Sequence, residues 1–115
     1  MTRTPGGNLV HLNPILAVSD LNVSIAFYTE NLGFEQRHSF GDPPDFAIIG
    51  HGEHEIYLCL EGQGQPGTWL GLFVDDPAGL HDDLVAKGVQ PITRLESEFR
   101  VEDPDGHVLR VFLSA

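Results

Sequence analysis

A chain of 115 residues, 41% of them hydrophobic, suffices for one compact domain or two closely packed half-domains. Seventeen Asp and Glu against six Lys and Arg give a net charge of −11, which excludes a surface built to bind nucleic-acid phosphates. No stretch approaches the roughly 18 apolar residues of a membrane span, and the opening MTRTPGGN lacks an apolar signal core. The expected setting is therefore cytoplasmic, without a membrane partner.

Residues 1–9 read as a loose lead-in, with Pro5, Gly6 and Gly7. A strand is expected over 10–18, and Pro14, which cannot donate to a ladder, places it at a sheet edge. Asp20 then offers a side-chain oxygen to the free first-turn N–H groups of a helix whose apolar face carries Leu21, Ile25, Tyr28 and Leu32. Gly33 ends it. Strands follow over 34–40, 46–49 and 55–60, separated by the turns GDPPD and GHGE. The segment EGQGQPG, 61–67, reads as a linker.

The second half repeats this order. A strand over 68–74 leads to Asp76 as helix cap, Pro77 at the first helical position, an apolar face of Leu80 and Leu84, and a stop at Gly88. Short strands are expected near 89–92 and 99–102. Asp103-Pro104-Asp105-Gly106 has the residues of a type I turn, and 107–113 is the last strand. In each half a strand ends in Val with Asp two residues later (Val18 and Asp20, Val74 and Asp76), about 55 residues apart. The expectation is an α+β fold of two βαβββ modules, residues 10–60 and 68–115, each with a four-stranded sheet.

Strand alternation sorts the faces. Leu12, Leu16 and Val18 are assigned to the helix side, with Ile56, Leu58 and Leu60, Leu70, Leu72 and Val74, and Leu109, Val111 and Leu113. The opposite face receives His11, Asn13, Ile15 and Ala17; Glu55, Tyr57 and Cys59; Trp69, Gly71 and Phe73; and Val108, Arg110 and Phe112. Large aromatic side chains beside a few polar groups suit a small-molecule cleft, a dimer contact or an inner core. Arg110, if buried, needs Glu55, another carboxylate, or an acceptor on a ligand.

The segments VSDLNVSIAFYTENLGF, PGTWLGLFVDD and VEDPDGHVLRVFL together resemble the vicinal oxygen chelate superfamily of glyoxalases, extradiol dioxygenases and bleomycin-resistance proteins, over about 12–113. The resemblance implies paired βαβββ modules whose sheets curl around a cleft, and a homodimer that completes each cleft, with the first strand exchanged at Pro14. Metal-dependent members place four ligands, commonly His and Glu, at positions that fall here on Asn13, Tyr57, Trp69 and Arg110. Asn is a weak donor, Tyr an uncommon one, Trp has no lone pair to offer and Arg is a cation, so no metal, cofactor or catalytic residue is expected. Arg110 after the DPDG turn resembles the bleomycin-resistance branch, which binds without chemistry. The segment between Ile92 and Phe99 is shorter than the family usually has.

The remaining groups suggest no alternative chemistry. His51, Glu53, His54 and Glu55 lie close in sequence, but His54 shares parity with Ile56 and so faces away from Glu55. His81 is read as solvated, His107, after a turn, as a surface or packing histidine, and Cys59, without a neighbouring cation, as a small packed thiol. The expected function is binding and sequestration of a small planar ligand, as in antibiotic resistance, with the acidic surface favouring a cation. The ligand contacts expected are Asn13, Tyr57, Trp69, Arg110, Phe73, Phe112, His11 and Glu55. The alternative is a metal-dependent lyase, isomerase or dioxygenase with altered ligands.

Overall fold

In the first module of the computed structural model, which describes residues 7–95 and 98–114, β1 (Ile15–Ala17) leads into α1 (Leu21–Leu32), followed by β2 (Glu35–Gly41), β3 (Pro44–His51) and β4 (His54–Cys59). The second has β5 (Trp69–Val74), α2 (Pro77–Ala86), β6 (Thr93–Arg94), β7 (Glu98–Glu102) and β8 (Val108–Leu113). Each forms a four-stranded mixed sheet, in the orders β1-β4-β3-β2 and β5-β8-β7-β6, with the first strand of each module parallel to its last. This is the expected α+β fold, and β1 is an edge strand.

The helix ends follow from their capping residues. Asp20 accepts the Val23 N–H at 3.1 Å and Asp76 accepts the Gly79 N–H at 3.1 Å. Gly33 closes α1 in the left-handed conformation, φ 73°, which a side chain would strain. One apolar cluster runs through both modules: Leu16, Tyr28, Ile49 and Leu58 join Leu84, Phe99, Leu109 and Val111, and α1 and α2 cover the inner faces of the sheets.

The DPDG turn ties the modules together. Gly106 N–H donates to the Asp103 carbonyl at 3.0 Å, closing the turn. Asp103 Oδ1 accepts the N–H groups of Asp105 and His107, both at 2.9 Å, while Oδ2 accepts the buried Tyr28 hydroxyl of α1 at 2.7 Å. Asp105 takes Ser19 N–H at 2.9 Å and the Ser24 hydroxyl at 3.2 Å. The fully buried His107 ring accepts Thr68 N–H at 3.0 Å through Nδ1, so Nε2 carries the proton and donates to Ala17 O at 2.7 Å.

Several expectations change. The first strand covers three residues instead of nine. Pro14 O still accepts Tyr57 N–H, but Pro14 has no N–H with which to carry the ladder upstream. Leu12 therefore does not face a helix and is 80% exposed. The strand expected at 89–92 lies at Thr93–Arg94, because Val89 N–H is taken by Leu84 O in the α2 cap. Leu113 is exposed at its strand end, and His81 is largely covered, edge-on to Phe99. Within the 61–67 segment, Gly64 lies so close to Ile15 O and Ala17 N that no Cβ would fit. Residues 1–6 of the lead-in, and 96–97 of the short segment, lie outside the described residues.

Removing the Tyr28 hydroxyl leaves a buried Asp103 oxygen without its donor, so Tyr28→Phe is expected to lower the unfolding free energy in urea by about 1.5–3 kcal/mol. Burial, reinforced by the Asp103 charge, pushes the Tyr28 phenol well above its ordinary 10.0. The unfolded chain loses this proton first, so the stability it confers is complete below pH 10 and declines as pH rises further. Between about pH 9 and about pH 11 the natural protein should therefore lose stability more steeply than Tyr28→Phe. Equal slopes would contradict the assignment.

Candidate functional site

The structure distributes the expected ligand contacts over three places. His11, Asn13, Glu55 and Phe73 line a cavity of about 520 Å³ at the module junction, floored by Leu32, Phe34, Ile56, Leu70, Leu72 and Leu80. Asn13 Nδ2 donates to the Glu55 carbonyl at 3.2 Å. The Glu55 carboxylate accepts from Arg37 at 3.2 Å, and Arg37 also reaches Glu35 at 3.1 Å and the Gly52 carbonyl at 2.7 Å. The hydrogen bonds to Glu55 and then Glu35 hold that guanidinium protonated more firmly than in water. It lies over Gly50, where a Cβ would collide with it.

His51, Glu53 and His54 also border this cavity. His54 borders it together with Ile56, whose parity it shares, and Glu55 reaches the same cavity at the end of the β3–β4 hairpin. Among the described residues no three His, Cys, Asp or Glu side chains come together as a metal-binding group. The modules' internal symmetry accounts for the opening. Ala17 pairs with Cys59 as Phe73 pairs with Phe112, which makes His54 the counterpart of His107. His107 fills its side of the junction; His54 is exposed and leaves the other side open.

Tyr57 lies on the outer face of the first sheet, edge-on to Phe46 at 5.6 Å, and Phe46 meets Phe40 at 5.9 Å. Trp69, Phe73, Arg110 and Phe112 lie on the outer face of the second. Three rows cross it in register: Trp69, Val108 and Glu102; Gly71, Arg110 and Arg100; Phe73, Phe112 and Glu98. Phe73 stacks on Phe112 with centroids 4.9 Å apart, and the Arg110 guanidinium lies 4.5 Å from the Phe112 centroid. Glu98, only 18% exposed, takes Arg110 Nε at 3.2 Å and Nη2 at 3.0 and 3.2 Å, so the carboxylate paired with Arg110 is not Glu55. Arg100 lies 5.1 Å from the Trp69 centroid. Trp69 and Phe73 are 55% and 68% exposed, an uncovered aromatic surface on a folded chain.

The donor chemistry at the family's four ligand positions does not fit a catalytic metal. Arg110 is a cation bound to Glu98, the Asn13 amide is bonded to backbone, and Trp69 can only donate. Cys59 is buried, with its thiol donating to Glu61 O at 3.0 Å, the packed role expected of it.

Sequence reasoning missed Arg100 and Glu98. Alternation along EFRVE would have placed both opposite Phe99 and Val101, on the aromatic face, had the start of β7 been known. Arg37 was missed because a register shift between Gln36 and His38 breaks the alternation of β2.

No curated protein matches the chain. Among solved structures it resembles TnmS3, an antibiotic binding protein from Streptomyces sp. CB03234, with 19% identity, TM-score 0.78, and 93% of this chain and 98% of that one covered. It also resembles bleomycin-binding protein complexed with bleomycin (20%, TM-score 0.72, coverage 93% and 100%) and lactoylglutathione lyase from Agrobacterium tumefaciens (16%, TM-score 0.77, coverage 91% and 93%). At such identities these likenesses show the fold alone. The Glyoxalase/Bleomycin resistance protein/Dioxygenase superfamily model matches residues 8–111, nearly the whole chain, and the protein belongs to that superfamily.

Proposed function

We propose that the protein binds and sequesters a small planar molecule on its aromatic sheet face, without metal chemistry. The observation that carries this reading is the pair of exposed rings Trp69 and Phe73, with the half-buried Phe112 stacked on Phe73 and two guanidiniums beside them, where a metal-dependent member needs converging donors. Flat amphipathic rings hold planar ligands with little loss of conformational freedom. Solved relatives that bind bleomycin or another antibiotic support the class of ligand. The reading includes a homodimer: Leu9, Val10 and Leu12 are 76–80% exposed upstream of Pro14, and with the aromatic faces they leave more apolar surface bare than a lone chain ordinarily tolerates.

Trp69 is the only tryptophan, so its fluorescence reports the site directly. In a titration with planar aromatic antibiotics, at least one should quench it, equally well after chelator treatment. Trp69→Ala should weaken that binding, read by calorimetry, about tenfold or more, the scale of ~1.4 kcal/mol for a lost aromatic contact. A panel that leaves the fluorescence unchanged, or binding that needs added metal, would remove the reading. Light scattering at micromolar concentration should give twice the chain mass, and a monomer would count against the dimer.

A further inference from the structure

The charge on the second sheet's outer face differs from that of the protein as a whole. Arg100 and Arg110 stand directly opposite each other across β7 and β8, an arrangement that repels. Glu98 neutralises Arg110 through a two-pronged contact. Arg100 has no ion pair among the described residues and rests on the π face of Trp69 alone. Glu102, on the same face in the Trp69 row, is exposed and makes no ion pair among the described residues. A chain of net charge −11 thus carries, beside its only tryptophan, a guanidinium that makes no ion pair among the described residues, with Glu102 on its own strand face.

Gly71 supplies the space. It lies between Trp69 and Phe73 on β5 and directly opposite Arg110. Trp69 and Phe73 are four residues apart, about 13 Å along an extended strand, enough for a two-ring system to lie flat over Gly71. A Cβ at Gly71 would meet only Phe112 and Phe73 carbons, at 3.6 and 3.8 Å, and its φ is outside the left-handed region, so the backbone does not require glycine here. What the missing side chain provides is bare floor.

We infer that this face selects planar aromatic carboxylates, with the ring over Gly71 between Trp69 and Phe73 and the carboxylate on Arg100. This rests on the binding reading above and replaces the expectation, drawn from net charge, of a cationic ligand. A carboxylate can pair with Arg100, which makes no ion pair among the described residues, whereas Arg110 is already held by Glu98. The acidic remainder of the surface slows the approach of an anion but acts over distances that salt screens, whereas the contact at Arg100 is direct.

Three probes sharing one ring system test it: 2-naphthoate, 2-naphthol and 2-naphthylmethylamine, titrated by calorimetry with Trp69 fluorescence followed in parallel. The expected order is carboxylate, then alcohol, then amine, with about tenfold between the ends. Arg100→Gln should abolish the carboxylate's advantage while leaving the affinity for 2-naphthol, and Arg100→Lys should restore part of it. Gly71→Leu, which fills the floor, should weaken all three. Equal or reversed affinities, or a carboxylate preference that survives Arg100→Gln, would overturn the inference while leaving planar-ligand binding in place. Failure of all three to bind or to perturb Trp69 would remove both.

Discussion

The His107 ring lies between the two halves of the molecule and bonds to the backbone of each. Thr68 N–H, at the entry to β5, reaches Nδ1, and the Nε2 proton goes to the carbonyl of Ala17 in β1. The ring is fully buried, and neither bond can be replaced by water without opening the junction. Its placement depends on the Asp103 turn, whose carboxylate fixes His107 N–H on one side and the Tyr28 hydroxyl on the other. One turn thereby connects α1, β1, β5 and β8, and the two modules share a core as a consequence.

That connection determines which surfaces remain available. With both helices packed against the inner faces, parts of the outer faces of the two sheets stay open among the described residues. Aromatic residues placed there, Phe40 on the first sheet and Trp69 and Phe73 on the second, stay 50–68% exposed. Their exposure is set by the architecture and not by local loosening, since each belongs to a hydrogen-bonded strand. Within the second face, the Glu98–Arg110 pair satisfies the central strand and leaves Arg100 as the group with capacity to take a partner. Two Arg and two Glu leave this face without the negative excess of the whole molecule, and Arg100 is its cation without an ion pair among the described residues.

Much of this was legible in the residues. Asp20, Asp76, Pro77 and Gly33 mark the helix ends by their own chemistry, and the repeated Val-x-Asp spacing exposes the two modules. Alternation correctly sent Leu16, Leu58, Leu109 and Val111 inward and Trp69, Phe73 and Arg110 outward. What escaped depends on partners distant in sequence. Nothing local to His107 indicates that Thr68 and Ala17 will bracket its ring, and nothing near Arg110 indicates that Glu98, not Glu55, will hold it. Leu12 was misassigned because alternation presumes a continuous ladder, which the missing N–H of Pro14 interrupts. The histidine tract 51–54 borders a cavity at the end of a hairpin, a placement that depends on the packing of the second module against the first.

The central claim is that the outer face of the second sheet, and not the junction cavity, is where the ligand resides. A crystal structure of the protein grown with 2-naphthoate tests it most directly. The account predicts the ring over Gly71, flanked by Trp69 and Phe73, with carboxylate oxygens within hydrogen-bond distance of Arg100. Density for the ligand in the cavity beside His11, Asn13 and Glu55, with Trp69 and Arg100 undisturbed, would contradict it.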